Sequence, residues 1–182
     1  MKHKLQLGAL VVVAAAAIVW GGRSIASAQR SRVSPHESTA NNVDGSAMSI
    51  EYGRPSTRGR EIFGRLVPYG DVWCPGADEA TMLSTSRPLH IGPLAVPAGE
   101  YSLWILPTEG EWTLILNKEA HTFHTNYRGS RDLGRVALQK RTLTTPVEQL
   151  TFAIEQSSAG AGGRIVMSWA TTEVSVPFMV GH

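Results

Sequence analysis

Glu100-Tyr101-Ser102-Leu103-Trp104-Ile105-Leu106-Pro107-Thr108-Glu109-Gly110-Glu111-Trp112-Thr113-Leu114-Ile115-Leu116 decides the fold class. Tyr101, Leu103 and Ile105 recur every second residue, as do Trp112, Leu114 and Leu116. A period of two puts each trio on one face of an extended strand. Pro107-Thr108-Glu109-Gly110 supplies turn chemistry between them, so the segment reads as a β-hairpin.

The same alternation extends outward. Leu150, Phe152 and Ile154 share a face within Val147–Gln156, and shorter patterned runs follow at Arg164–Ala170 and Glu173–Phe178. Earlier strand candidates are Met48–Tyr52, Ala80–Ser84 and Leu89–Ile91. No stretch carries a helical stripe of a dozen residues; Ile62–Leu66 and Glu119–Phe123 are expected to form single turns. Eight or nine short strands punctuated by 18 glycines and 10 prolines predict an all-β fold, a single antiparallel β-sandwich of the jelly-roll kind rather than a closed barrel. No internal repeat is visible.

The amino terminus reads as an address. Lys2 and Lys4 precede an unbroken apolar or glycine run from Leu7 to Trp20, which Gly21-Gly22 ends. A helix over that run spans about 21 Å, short of the roughly 30 Å hydrocarbon core. Ala26-Ser27-Ala28 has the small-x-small form of a signal-peptidase site, so residues 1–28 are expected to be a signal peptide cleaved after Ala28. The competing reading is a retained leader anchoring the chain in the inner membrane. Either way the rest faces the periplasm or the exterior. Residues 29–46 hold only Val33, Ala40 and Val43 as apolar side chains and are expected to be a disordered linker. The β-sandwich domain is then placed at 47–182.

Seventeen Lys and Arg against 15 Asp and Glu give +2, with a pI near 8.9. Lys2, Lys4 and Arg23 all lie in the leader, which has no acids; without them, 14 bases face 15 acids, a net −1. That balance does not support nucleic-acid binding by counterion release. The membrane is a partner only through an uncleaved leader. One cysteine excludes an intrachain disulfide and any all-cysteine metal cage.

Two long segments resemble a known family. They are Tyr52-Gly53-Arg54-Pro55-Ser56-Thr57-Arg58-Gly59-Arg60-Glu61-Ile62-Phe63-Gly64 and Leu66-Val67-Pro68-Tyr69-Gly70-Asp71-Val72-Trp73-Cys74-Pro75-Gly76-Ala77-Asp78-Glu79-Ala80-Thr81. Together with Pro97–Leu103, Trp112–Asn117, Pro146–Phe152 and Val174–Pro177, they resemble the bacterial domain of unknown function 2911. The resemblance covers nearly all of residues 47–178 and implies an exported, single-domain protein of unassigned activity. It supplies no catalytic residue. Cys74 stands where many relatives carry Arg, which argues against a role for the thiol.

Candidate sites are few, and each has a plainer reading beside it. Arg54, Arg58, Arg60 and Arg65 place four guanidiniums in twelve residues, suited to an anion-binding patch. The alternative is ion pairing with Glu51, Glu61, Asp71, Asp78 or Glu79. Asp78 and Glu79 lie in a loop after a Pro-Gly turn, either as ligand contacts, as half of a hydrolytic pair, or as hydrogen-bonding loop fasteners. Cys74 reads as a small buried side chain more readily than as a nucleophile. His121 and His124, at i and i+3, are weak metal candidates lacking named companions. Tyr52, Tyr101 and Tyr127 are candidate ligand contacts. Trp73, Trp104, Trp112 and Trp169 read as core before they read as a carbohydrate platform.

These features favour a ligand- or partner-binding module of the cell envelope acting through Arg54, Arg58, Arg60, Asp78, Glu79, Tyr101 and Tyr127. Its partner would be a small molecule, a glycan or a protein, and no cofactor is expected. The alternative is an envelope hydrolase using Asp78 or Glu79, metal-assisted through His121 and His124. A third reading is a purely structural envelope spacer that self-associates without a ligand.

Overall fold

The computed structural model describes residues 34–158 and 160–181; the proposed leader and its cleavage position at Ala28 lie outside them. Nine antiparallel strands run in chain order: β1 (His36–Val43), β2 (Ser46–Gly53), β3 (Met82–Thr85), β4 (Leu89–Ile91), β5 (Leu94–Val96), β6 (Gly99–Leu106), β7 (Trp112–Asn117), β8 (Asp132–Gln156) and β9 (Gly163–Val180). Among the described residues the helical content is one 3-10 turn, Gly129–Arg131. No helix among them is long and apolar enough to cross a membrane.

The strands form one hydrogen-bonded order, β1-β2-β3-β6-β7-β8-β9-β4-β5. The β6–β7 hairpin pairs as the alternation requires, with Leu103 opposite Leu116 and Ile105 opposite Leu114. The sheet is folded over by β8. Its first part, Asp132–Leu138, pairs with β7, while Gln139–Gln156 pairs with β9. A strand that changes partner along its length turns one sheet into two facing layers. Leu83, Leu103, Ile105, Leu114 and Leu116 from one layer then share a core with Phe152, Ile165, Met167, Trp169, Val176 and Phe178 from the other. Pro146, which cannot donate to a ladder, falls where the β8–β9 register shifts, next to Val147, which pairs with Ala170 at φ 51°.

The expected linker requires correction. Residues 36–43 are β1, paired along their whole length with β2 from His36 opposite Gly53 to Val43 opposite Ser46. Only Val43 of β1 is buried. The strand is held by its backbone ladder, together with Asn41 Nδ2 donating to the Ile154 carbonyl at 3.0 Å. A composition argument weighs apolar side chains and cannot register that kind of support. The folded unit therefore begins before Ala47. β9 is likewise one bent strand rather than two, and β8 starts fifteen residues before the expected Val147 (147 − 132), because its first part alternates only weakly.

Strand β6 is covered on both faces. Tyr101, Leu103 and Ile105 enter the main core, while Trp104 packs outward with Ile115, Cys74 and Ala80 in a second, smaller cluster. That second cluster seats the 72–81 loop on the outer side of the sheet. Glycine allows the loop to lie close: a Cβ on Gly53 would sit 2.1 Å from the Ala77 carbonyl oxygen. The loop carries Asp78 and Glu79.

Candidate functional site

The outer face of the β1–β2–β3–β6 layer holds a groove of about 700 Å³, lined by residues that include His36, Glu51, Glu79, Met82, His121 and Phe123. The floor follows from strand register: Glu51 of β2 lies opposite Met82 of β3, and Ser38 of β1 lies on its other side. One wall is the 72–81 loop and the other is the 118–126 segment. Backbone bonds fix these walls to each other. Ala80 N–H donates to the Thr122 carbonyl at 2.9 Å, His124 N–H donates to the Asp78 carbonyl at 3.1 Å, and Glu79 and Phe123 form an antiparallel bridge.

Among the described residues the groove's fixed charges are carboxylates, and neither Lys nor Arg lines it. His36 Nδ1 lies 3.6 Å from Glu79 Oε2. His121 Nε2 lies 2.9 Å from Glu100 Oε2. Glu51 has no ion-pair or hydrogen-bond partner for its side chain among the described residues. Phe123 adds an aromatic surface, 38% exposed. A second hollow of about 430 Å³ lies further along the same face, lined by Ala40, Ser49, Ser84, Ser86, Gly99 and Glu100 among others. The His121–Glu100 pair stands where the two meet.

The residues singled out from sequence divide cleanly. Glu79 and His121 line the groove. Asp78 does not: its backbone takes a left-handed turn at φ 66°, and its carbonyl accepts from His124 Nδ1 at 2.6 Å. Because a carbonyl can only accept, that proton sits on Nδ1 and His124 keeps Nε2 as its open nitrogen. His124 is thereby a wall fastener. Among the described residues no group of three His, Cys, Asp or Glu is placed to hold a metal ion.

Two of the arginines engage their guanidiniums within the fold. Arg54 spends its guanidinium on a seam between strands. Nε donates to the Leu150 carbonyl at 3.1 Å, one terminal nitrogen donates to Thr151 Oγ1 at 3.0 Å, and the other meets Glu37 at 2.7 Å. Arg60 folds back on its own loop, donating to the Thr57 and Ser56 carbonyls at 2.9 and 2.7 Å. Arg58 sits at φ 50°, and its backbone N–H donates to Glu148 Oε1 at 2.9 Å. Glu148 also accepts from the Thr57 hydroxyl. The Thr57 hydroxyl first, and the Arg58 N–H second, hold the Glu148 carboxyl below its ordinary range.

The hydroxyls of Tyr52, Tyr101 and Tyr127 are each hydrogen-bonded within the fold. Tyr52 is buried against Phe152, and its hydroxyl accepts from the Phe152 N–H at 3.1 Å. Tyr101 is buried, with its hydroxyl donating to the Pro97 carbonyl at 2.9 Å. Tyr127 donates to Asp132 at 2.7 Å and packs its ring against Trp104. Cys74 is buried, and burial pushes its thiol up to about 12, which leaves no thiolate for nucleophilic work near neutral pH. Trp104, Trp112 and Trp169 are almost fully buried in the core, and Trp73 packs beside Trp169.

His36, Glu51, Met82 and Phe123 of the groove, and Glu100 of the second hollow, are among the lining residues that sequence reasoning missed as site members. Glu51 and Glu100 occupy the polar phase of alternating strands, the one local signal that was available. His36 lay inside the expected linker.

No curated protein and no solved structure matches the chain. The family model described as "Protein of unknown function (DUF2911)" matches residues 34–178, starting at the first described residue and so taking in β1. With nearly the whole folded unit matched, the chain belongs to the DUF2911 family of proteins of unknown function.

Proposed function

We propose that this protein is a ligand-binding module of the cell envelope whose ligand seats in the outer-face groove. The observation that carries the reading is the groove: about 700 Å³, with polar side chains from β1, β2 and two loops that backbone bonds hold in place. A concave, preformed hollow with a few convergent polar groups is the usual form of a small-molecule or glycan site. The groove is placed ahead of the Arg54–Arg60 loop, since Arg54 and Arg60 each direct guanidinium donors into the fold. Binding is put ahead of hydrolysis because, of the expected Asp78 and Glu79, only Glu79 lines the groove.

Export rests on the leader: Lys2 and Lys4, the Leu7–Trp20 run and Ala26-Ser27-Ala28. Intact-mass measurement on protein from the envelope fraction should find a chain beginning at Gln29. A chain retaining Met1 in the inner membrane would replace secretion with anchoring. For the ligand, the purified protein is titrated with a panel of amines, neutral oligosaccharides and dicarboxylates, in parallel with Ala120→Trp, which fills the groove. Any bound compound should lose affinity in the variant. Binding that is indifferent to Ala120→Trp would place the ligand elsewhere and overturn the reading.

A further inference from the structure

We infer that the groove takes an extended, positively charged chain, an oligoamine or an amino-bearing polymer segment, laid across β2 and β3 from the larger hollow into the smaller one. This deepens the binding reading above and rests on it. Three independent features point the same way: the continuity of the two hollows, the sign of their charge, and an exposed apolar surface at one end.

Continuity comes from register. Ser49 and Glu51 are two apart on β2 and so share its outer face, as Ser84 and Met82 do on β3. Ser49 pairs with Ser84, Glu51 pairs with Met82, and Ser84 pairs in turn with Glu100 of β6. The larger hollow contains Glu51 and Met82, and the smaller contains Ser49, Ser84 and Glu100. Between them the floor is made of small side chains. His121, from the first lining, bonds Glu100, from the second, at 2.9 Å. A ligand lying along this trough passes that pair, which is largely solvent-exposed and free to be exchanged for a ligand group.

Charge sets the ligand's sign. Glu51, Glu79 and Glu100 face the trough, while among the described residues neither hollow has a Lys or Arg in its lining. Among the described residues His36 and His121 are the bases facing it, and each already lies against a carboxylate. Glu51 is left for an incoming cation. A concave surface with one sign of charge concentrates ligands of the opposite sign and repels those of its own. Phe123 and Met82 offer an aromatic face and a thioether to the methylene segments between charges, and the ring face also attracts a cation.

Spermine, putrescine and a neutral maltooligosaccharide of length similar to spermine serve as probes, measured by isothermal titration calorimetry. Spermine should bind about tenfold or more tightly than putrescine and weaken as salt rises. Glu51→Gln should reduce spermine affinity about fivefold, the scale of one partly exposed ion pair. Ala120→Trp and Ser84→Trp, which fill the larger and smaller hollows, should each weaken it. Equal affinity for the two amines, or indifference to Ser84→Trp, overturns the extended-chain inference. Failure of spermine to bind, or indifference to Glu51→Gln and salt, overturns the charge inference. Maltooligosaccharide binding lost in Ala120→Trp would leave the groove standing as a site while refuting its cationic preference.

Discussion

Replacing Arg54 separates a structural guanidinium from a ligand-binding one. In Arg54→Ala three bonds disappear: those to the Leu150 carbonyl, to Thr151 Oγ1 and to Glu37. The Glu37 pair is exposed on the carboxylate side and contributes on the order of 0.5 kcal/mol. The larger loss is at the seam, where Leu150 is fully buried and its carbonyl is left with one fewer donor. Bonds from a charged donor are worth about 1.5–3 kcal/mol, and stranding a buried acceptor costs a similar amount. The expected destabilisation is therefore about 2–3 kcal/mol, a fall in Tm of about 5–10 °C for a domain of this size. Urea unfolding followed by tryptophan fluorescence measures it directly. Arg54→Lys should recover little, because an ammonium cannot reach three acceptors in the geometry of the planar fork. A Tm within about 2 °C of wild type in Arg54→Ala, or full recovery in Arg54→Lys, would refute the seam.

Further tests probe the loop, the acids and the thiol. Gly53→Ala drives a Cβ into the Ala77 carbonyl; it should cost about 1–3 kcal/mol and weaken groove ligands by displacing Glu79, whereas unchanged stability would mean the loop shifts freely. Glu148 is held below its ordinary value by the Thr57 hydroxyl and the Arg58 N–H, and Glu173 chiefly by its bond from Arg141. Both carboxylates thus bind protons more readily when unfolded, so their stabilisation is present above the unfolded value near 4.5 and is lost as pH falls below it. Urea midpoints should drop from about pH 5 to pH 3, and Glu148→Gln with Glu173→Gln should flatten that slope; an unflattened slope would assign acid sensitivity to other groups. Cys74 should resist a disulfide exchange reagent at about pH 8 until the protein is unfolded. Prompt stoichiometric labelling of native protein would contradict its burial.

The boundary between what the chain announces and what its folding decides runs between short and long sequence separation. Alternation is local, so Tyr101, Leu103 and Ile105 or Trp112, Leu114 and Leu116 declare a strand and its inward face without any partner in view. The antiparallel class, the hairpin and the buried nature of Cys74 follow from such neighbours. Strand β1 escaped because its support is a backbone ladder, which side-chain composition does not record. The roles of the polar residues depend on partners far along the chain. Arg54 meets Leu150 across 96 positions and Thr57 meets Glu148 across 91. A guanidinium in a list of residues looks the same whether its donors will meet a ligand or a carbonyl. Likewise Asp78 and Glu79 are equivalent in sequence, and only a left-handed turn at Asp78 directs one into the wall and leaves the other in the groove. Sequence by itself determined the strongly alternating strands and their buried faces, because burial acts on each side chain through its own alternation. Tertiary structure alone decided which charges remain available, because that depends on which distant carbonyls and carboxylates the folded sheet brings within hydrogen-bond reach.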